Sequence, residues 1–501
     1  MVIIIFLLVF LATACTSSDN ANSGSKIVSP VNNLIPIAGT WKVQYLKIPK
    51  ETNSNKIEAN KWLNSTANFS PSSAVLGADY CKDPIYKVKV VNTNSYLLYG
   101  YNQNPDYLNL NQKEIQIISI SSENNFFYEF IKVNDSFMIT NVNGVFLYLK
   151  KTSDSNAKNP DSLSLPAAKG IISADLNSPS SKSILLIGLR STSKSTSLGN
   201  DTLSKNYNYR TLLISYTNKK LNPVLETKNL FIPRLTGFWS LDIDRLTDNF
   251  NSIDSINAFP FGTTQKITTK HSFAINERKV INFIGNDYVS IEKTSQTSTH
   301  EPSNPTFGFY LQVLPLDNIN SKEPIKISQL TDSAGDAALK EGATNYLNSI
   351  KNTFIFSKNF SQYNWGVSRR NGHWVLKGRL TAFTNNSLLI SPDFYIPIPA
   401  PKKSLIGYDD LYPTWSNIKD RVPDAIDAFS SPSKDILITI SNTILSVYEL
   451  KSNNIALLPL AQVKFKENET VIMNQWAQGD YTETWTKAFN KNVVTEPIMV
   501  K

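Results

Sequence analysis

From residue 39 onward the chain consists of short runs rich in Val, Ile, Tyr and Phe, each broken by a cluster of Asn, Ser, Asp or Gly. Such runs, bounded by turn-forming residues, read as strands rather than helices. They predict an all-β protein. Six of them lie close together: YKVKVV (86–91), SYLLYGY (95–101), EIQIISI (114–120), FFYEFIKV (126–133), SFMIT (136–140) and GVFLYLKK (144–151). With GTWKVQYL (39–46) in front, residues 36–152 are expected to form a small antiparallel β-barrel or sandwich.

The pattern fades over 153–181, where Ser, Asn and Pro dominate, which predicts a linker. It resumes over 182–501 in four groups. The first holds 184–190, 209–217, 228–234 and 237–246. The second holds 279–285, 287–293, 307–316 and 325–330, and the third 352–357, 363–370, 373–383 and 387–398. The fourth holds 425–429, 435–440, 443–450, 456–465 and 470–476. Four-stranded meanders repeated along a chain are how a β-propeller is built, so 182–501 is expected to form a larger β-propeller-like domain. A multi-sheet sandwich is the alternative. Apolar spacing predicts only two helices, over 336–350 and 482–490.

Residues 2–14 (VIIIFLLVFLATA) are almost wholly apolar. They fall short of the ~20 residues that cross a bilayer and fit the apolar core of a signal peptide. The segment ends in Ala12-Thr13-Ala14-Cys15, and the polar run TSSDNANSGSK follows. This resembles the signal of bacterial lipoproteins, in which a cysteine after small residues is lipidated and becomes the new N-terminus. The resemblance implies a signal peptide over 1–14, a lipid on Cys15, a flexible tether through residue 35, and a place on the outer face of the cell membrane. Simple secretory cleavage after Ala14 and an uncleaved apolar N-terminus are the alternatives. Cys81 would then be a lone thiol, buried and inert. Gly39-Thr40-Trp41 is similar to the G-x-W opening of lipocalin-like barrels; a buried Trp at the start of a first strand would look the same. The two R-x-[TN]-G-x-W segments and QWAQGDYTETW (475–485) give the chain a resemblance to lipoproteins of AT-rich Gram-positive bacteria, which implies no activity.

Chemistry is harder to find. The chain has no G-x-S-x-G, P-loop, H-E-x-x-H, G-x-G-x-x-G, EF-hand or C-x-x-C motif. Three histidines and two cysteines leave little room for a metal site, and no cofactor is expected. The formal net charge is +9, but Lys and Arg are scattered, so nucleic acid is not an expected partner. Anionic wall polymers or headgroups would be attracted only loosely.

Two sets of residues suit a ligand. One is the repeated hairpin Arg234-Leu235-Thr236-Gly237-Phe238-Trp239 and Arg369-Arg370-Asn371-Gly372-His373-Trp374. It reads either as a shared turn with a core Trp, or as two Arg–Trp loops (Arg234, Trp239, Arg369, Trp374) facing a sugar or peptide. Asn371-Gly372 is a type I′ turn signal. The other set is Tyr408, Asp409, Asp410, Tyr412 and Trp415, followed by Asp424 and Asp427. Aromatic faces stack on sugar rings and acids bind hydroxyls; ordinary turns use the same residues. The segment 475–485 could line the same surface or be a closing strand and short helix. The expected function is a membrane-anchored, non-enzymatic lipoprotein that binds a glycan, a peptide or another envelope protein. The alternatives are a glycan hydrolase using two of Asp409, Asp410, Asp424 and Asp427, and a structural component of the envelope.

Overall fold

The computed structural model describes residues 35–49, 59–122, 125–154, 182–192, 207–247, 252–263, 275–297, 306–350, 355–356 and 360–500, apart from 322, 384–390, 403 and 452–453. The apolar segment 2–14, Cys15, nearly all of the tether, most of the 153–181 linker, His271 and His300 lie outside the described residues. Strands predominate, as the all-β expectation requires.

The first part is one nine-stranded antiparallel sheet. Its order is Asp79–Lys82, Ser73–Leu76, Thr66–Phe69, Gly39–Lys47, Val145–Ser153, Phe137–Val142, Asn125–Lys132, Glu114–Ser122 and Ile85–Asn92. The two edge strands are neighbours in the chain, joined only by Asp83 and Pro84. In a flat sheet the edges would lie roughly 38 Å apart, whereas that connection spans about 10 Å. The sheet therefore rolls up until its edges meet. Across the junction Ser122 Oγ donates to the Lys82 carbonyl and the Tyr128 hydroxyl donates to Asp79 Oδ2, both at 2.7 Å.

Trp41, Phe69, Ile118, Ile120, Phe130 and Leu147 fill the interior of the rolled sheet, and Cys81 is buried there as a free thiol. Trp41 Nε1 donates to the Ile37 carbonyl at 2.9 Å. Gly39 has φ +108°, and a Cβ there would meet the Ser153 carbonyl at 2.3 Å, so this position needs glycine.

The outer face is also covered. Ile115, Ile117, Ile131 and Phe146 pack under two helices, Thr93–Tyr101 and Pro105–Leu108. The first of these corrects the strand expected over 95–101. The Asn92 side chain accepts from the Ser95 N–H at 3.0 Å, and Asn102 ends the helix with φ 52°, so both ends are capped. Leu97 packs on the sheet while Leu98 and Tyr99 reach Val375 of the second part.

Four larger sheets of the second part are arranged like the blades of a four-bladed β-propeller, and a two-stranded one pairs Ile355–Phe356 with Ala382–Phe383. The first sheet contains Lys182–Thr192, Tyr207–Thr217 and Leu225–Lys228, with Thr470–Gln478 paired on its other flank. The second runs from Leu230–Arg234 and Gly237–Thr247 through Ser252–Pro260, Ile275–Ile284 and Tyr288–Thr297 to Thr306–Pro315. The third is Trp365–Arg370, His373–Arg379 and Asp393–Pro399; the fourth is Asp427–Ser430, Ile436–Ile440, Ile444–Lys451 and Ala461–Lys464.

The expected grouping is thus out of phase. Residues 228–246 divide at Asn229 (φ 68°), and the strands after it belong to the second sheet. Residues 325–330 lead into the helix Ser328–Ser349 instead of forming a strand. Residues 470–476 leave the fourth group to pair with the first strand, from Ser183 opposite Gln478 to Arg190 opposite Thr470. That pairing joins the two ends of this part in one sheet and closes the ring.

Three of the four junctions between sheets have apolar cores, with polar contacts such as Arg190 to Asn282 and Arg379 to Glu292 beside them. Ile184, Leu186, Phe231 and Leu241 join the first sheet to the second. Leu185, Ile187, Ile438 and Val447 join the first to the fourth. Phe283, Trp365, Val367 and Trp374 join the second to the third, with Leu339 and Ala343 of the long helix. Lys182–Thr192 is buried on both faces, which is why it reads as an unbroken apolar run. The junction between the third and fourth sheets is built differently.

Candidate functional site

Arg369 crosses the junction between the third and fourth sheets. The hairpin that carries it turns at Asn371 (φ 51°) and Gly372 (φ 83°), the type I′ geometry that Asn-Gly favours. Its guanidinium donates to Asp427 through Nε (2.9 Å) and Nη2 (2.8 Å), and to Asp409 Oδ1 through Nη1 (2.8 Å). It also lies 4.9 Å from the centre of the Trp374 ring and 4.2 Å from that of Phe429. Asp427 accepts from the Gly372 N–H, and Asp409 from the Trp374 N–H. Burial pushes the Asp409 carboxyl up. The hydrogen bond from His373, the Arg369 charge and the Trp374 N–H outweigh it and hold the group below the usual carboxylate range. This is a buried charge network with most of its bonds made.

The repeated hairpins do not form one ligand-facing surface. Trp374 is 1% exposed, its Nε1 donates to Asn474 Oδ1 at 2.5 Å, and its ring stands edge-on to Phe283. Arg234 stacks 4.6 Å from the Trp239 ring but is bound to Asp287 and Asp317 beside the second sheet. The turns also differ by one residue of register: Arg234 pairs with Gly237, whereas Arg369 pairs with Trp374. The two segments share an Arg–Trp stack made by different turns. The segment 475–485 does not join them either. Trp476 packs between the first and fourth sheets, and Trp485 packs between the first and second from the helix Tyr481–Phe489.

Part of the second set of expected residues comes together on the seam where the rolled sheet meets the propeller-like part, whereas Asp427 is held by Arg369 and Asp424 is exposed outside it. Tyr408, Asp410 and Tyr412 line a cleft of about 110 Å³ whose opposite wall includes Tyr101, Asn141 and Asn143. His373, Lys402, Thr414, Gln103 and Lys434 add to its polar lining. Lys402 Nζ donates to Asp410 Oδ1 at 2.6 Å, and the Lys434 ammonium lies 4.8 Å from the centre of the Tyr412 ring. Burial pushes the Tyr412 phenol up to about 12 and the Tyr408 phenol further still, so both are neutral hydroxyls at physiological pH. Asp409 lies just behind this wall and is consumed by Arg369.

Trp415 lines an adjoining groove of about 290 Å³ with Tyr96, Tyr99 and Arg370. There the Arg370 guanidinium is held between two rings, 3.9 Å from Tyr99 and 4.3 Å from Tyr395, which ties the two parts of the molecule together. A smaller cavity of about 30 Å³ lies on the other side, lined in part by Tyr128, Glu129 and Asn417. Tyr101 and Thr414 are walls of all three spaces.

Some of the buried polar atoms without a hydrogen-bond partner lie along this seam: His373 Nε2, Thr414 Oγ1 and Glu129 Oε2. Leaving such a group unmatched costs about 1–3 kcal/mol, a cost that a ligand could offset. Among the described residues no group of three or more His, Cys, Asp or Glu is placed to hold a metal ion. Tyr101, Asn141, Asn143, His373 and Lys402 escape a sequence reading. They are ordinary residues on separate elements, and only the docking of the two parts gathers them. No protein-family model, curated protein or solved structure matches the chain.

Proposed function

We propose that this chain is a lipid-anchored extracytoplasmic protein that binds a glycan in the seam between its rolled sheet and its propeller-like part, without chemical turnover. The observation that carries the reading is the cleft lining: Tyr101, Tyr408 and Tyr412 offer aromatic surface, and Asp410, Asn141 and Asn143 offer hydrogen bonds. A sugar ring needs both kinds of partner. The Ala12–Cys15 signal supports the anchor, since a lipidated Cys15 would hold the protein at the membrane surface. The residues up to 35 would act as a tether with a reach of roughly 25 Å.

The hydrolase alternative receives less support. A glycosidase needs one carboxyl able to keep its proton and another free to act on the substrate. Asp409 and Asp427 are both bound to Arg369, Asp410 is bound to Lys402, and Asp424 is exposed away from the cleft lining.

Titration calorimetry of residues 16–501 against oligosaccharides, wall fragments and peptides tests the reading. Binding of a sugar that Tyr412→Ala weakens at least tenfold is the expected result. A panel in which only peptides bind, or binding that is indifferent to Tyr412→Ala, overturns it.

A further inference from the structure

We infer that the ligand of the seam is an uncharged oligosaccharide lying along it, with one sugar hydroxyl donating a hydrogen bond to His373 Nε2. This rests on the glycan reading above and narrows it.

The first argument concerns length. The three spaces of about 30, 110 and 290 Å³ adjoin one another through the shared walls Tyr101 and Thr414. The smallest has room for a water or two only, so a chain of sugars would lie in the two larger ones, which a single sugar would not span.

The second argument concerns charge. His373 is 4% exposed and lines the central cleft. Its Nδ1 lies 3.1 Å from the Asp409 carbonyl oxygen and 3.5 Å from Asp409 Oδ2. Both oxygens only accept, so Nδ1 carries the proton. In the neutral imidazole Nε2 is then bare and can only accept, and it has no partner within the protein. Glu129 Oε2, on the small cavity, is another buried acceptor without a partner, while its Oε1 takes Lys89 at 2.9 Å. Thr414 Oγ1 can donate or accept.

The unmatched buried atoms named here are therefore mainly acceptors, and a ligand that brings donors satisfies them. Hydroxyls and acetamido N–H groups supply donors. A carboxylate, sulfate or phosphate brings only more acceptors and would face Glu129. Of the cations on the seam, Lys402 is paired with Asp410 and Lys89 with Glu129, while Lys434 lies against the Tyr412 ring and Arg370 between those of Tyr99 and Tyr395.

Calorimetry of residues 16–501 with cellotetraose, maltotetraose, chitotetraose and tetragalacturonate, together with the corresponding monomers, tests the inference. One neutral tetramer is expected to bind at least tenfold more tightly than its monomer and than tetragalacturonate. His373→Phe, which keeps a ring but removes both nitrogens, is expected to weaken that tetramer about tenfold. If that variant does not fold, Glu129→Gln gives the second reading, because its amide adds a donor and is expected to narrow the gap between acidic and neutral tetramers.

Three results overturn the inference and leave the glycan reading intact: tight binding of tetragalacturonate, monomers that bind as well as tetramers, or a sugar sensitive to Tyr412→Ala but indifferent to both His373→Phe and Glu129→Gln. If no sugar binds at all, the glycan reading itself fails.

Discussion

Arg369 and Asp427 join the third and fourth sheets by paired hydrogen bonds, Nε to Oδ2 at 2.9 Å and Nη2 to Oδ1 at 2.8 Å. The other three junctions of the ring have apolar clusters at their centres. Here the guanidinium sits between the Trp374 and Phe429 rings and reaches Asp409 as well. Removing one partner of a buried pair leaves the other charged and unmatched, at a cost of about 3–5 kcal/mol. Arg369→Ala should therefore lower the unfolding free energy by that amount in a denaturant titration. A loss below about 1 kcal/mol would mean that the network contributes little to holding the ring.

The same network sets an acid limit. The folded state holds Asp409 below its ordinary value of 3.8, so it binds fewer protons than the unfolded state. The resulting stability is fully present above the unfolded value and is lost as the pH falls through the lower, folded one. Asp409→Asn should be less stable than wild type near neutrality, and its stability should fall less steeply below about pH 4. Parallel slopes in denaturant titrations of the two proteins from about pH 6 to 2.5 would contradict this.

Ring closure depends on Thr470–Gln478 lying beside Lys182–Thr192. A chain ending at residue 469 would lose that strand along with Ile472 and Met473 from the core between the first and second sheets. It would also expose the backbone edge of Lys182–Thr192, a template for aggregation. The truncated protein should aggregate or become protease-sensitive after residue 182, while the rolled sheet before it keeps its protection. Mass spectrometry of a timed digest would show this, and full protection of 182–469 would refute it.

The anchor makes its own prediction. In a bacterial host the full chain should take up labelled palmitate and sediment with membranes, and Cys15→Ser should abolish both. Membrane association that survives Cys15→Ser without label would point to a different attachment.

Much of this architecture can be read locally. The strands over 39–46, 86–91, 114–120, 144–151 and 184–190 show in the residue pattern, because each side chain reports on its own burial. Asn371-Gly372 announces its turn, since few other pairs tolerate two successive positive φ values. The helices Ser328–Ser349 and Tyr481–Phe489 contain most of what apolar spacing predicts.

What the sequence alone determined is therefore the class of the fold and the position of most strands. Tertiary structure decided the rest. Residues 95–101 suit a strand or a helix equally well, and the faces offered by Ile115, Ile117 and Val375 select the helix. The phase of the sheets was set by a pairing between residues 183 and 478, and local periodicity carries no trace of a partner that far away in the chain. The seam was decided in the same way. Tyr101, Asn143, His373, Lys402 and Tyr412 become one site only when two independently patterned parts dock, because contact between distant surfaces depends on shape and burial that no short window of sequence records.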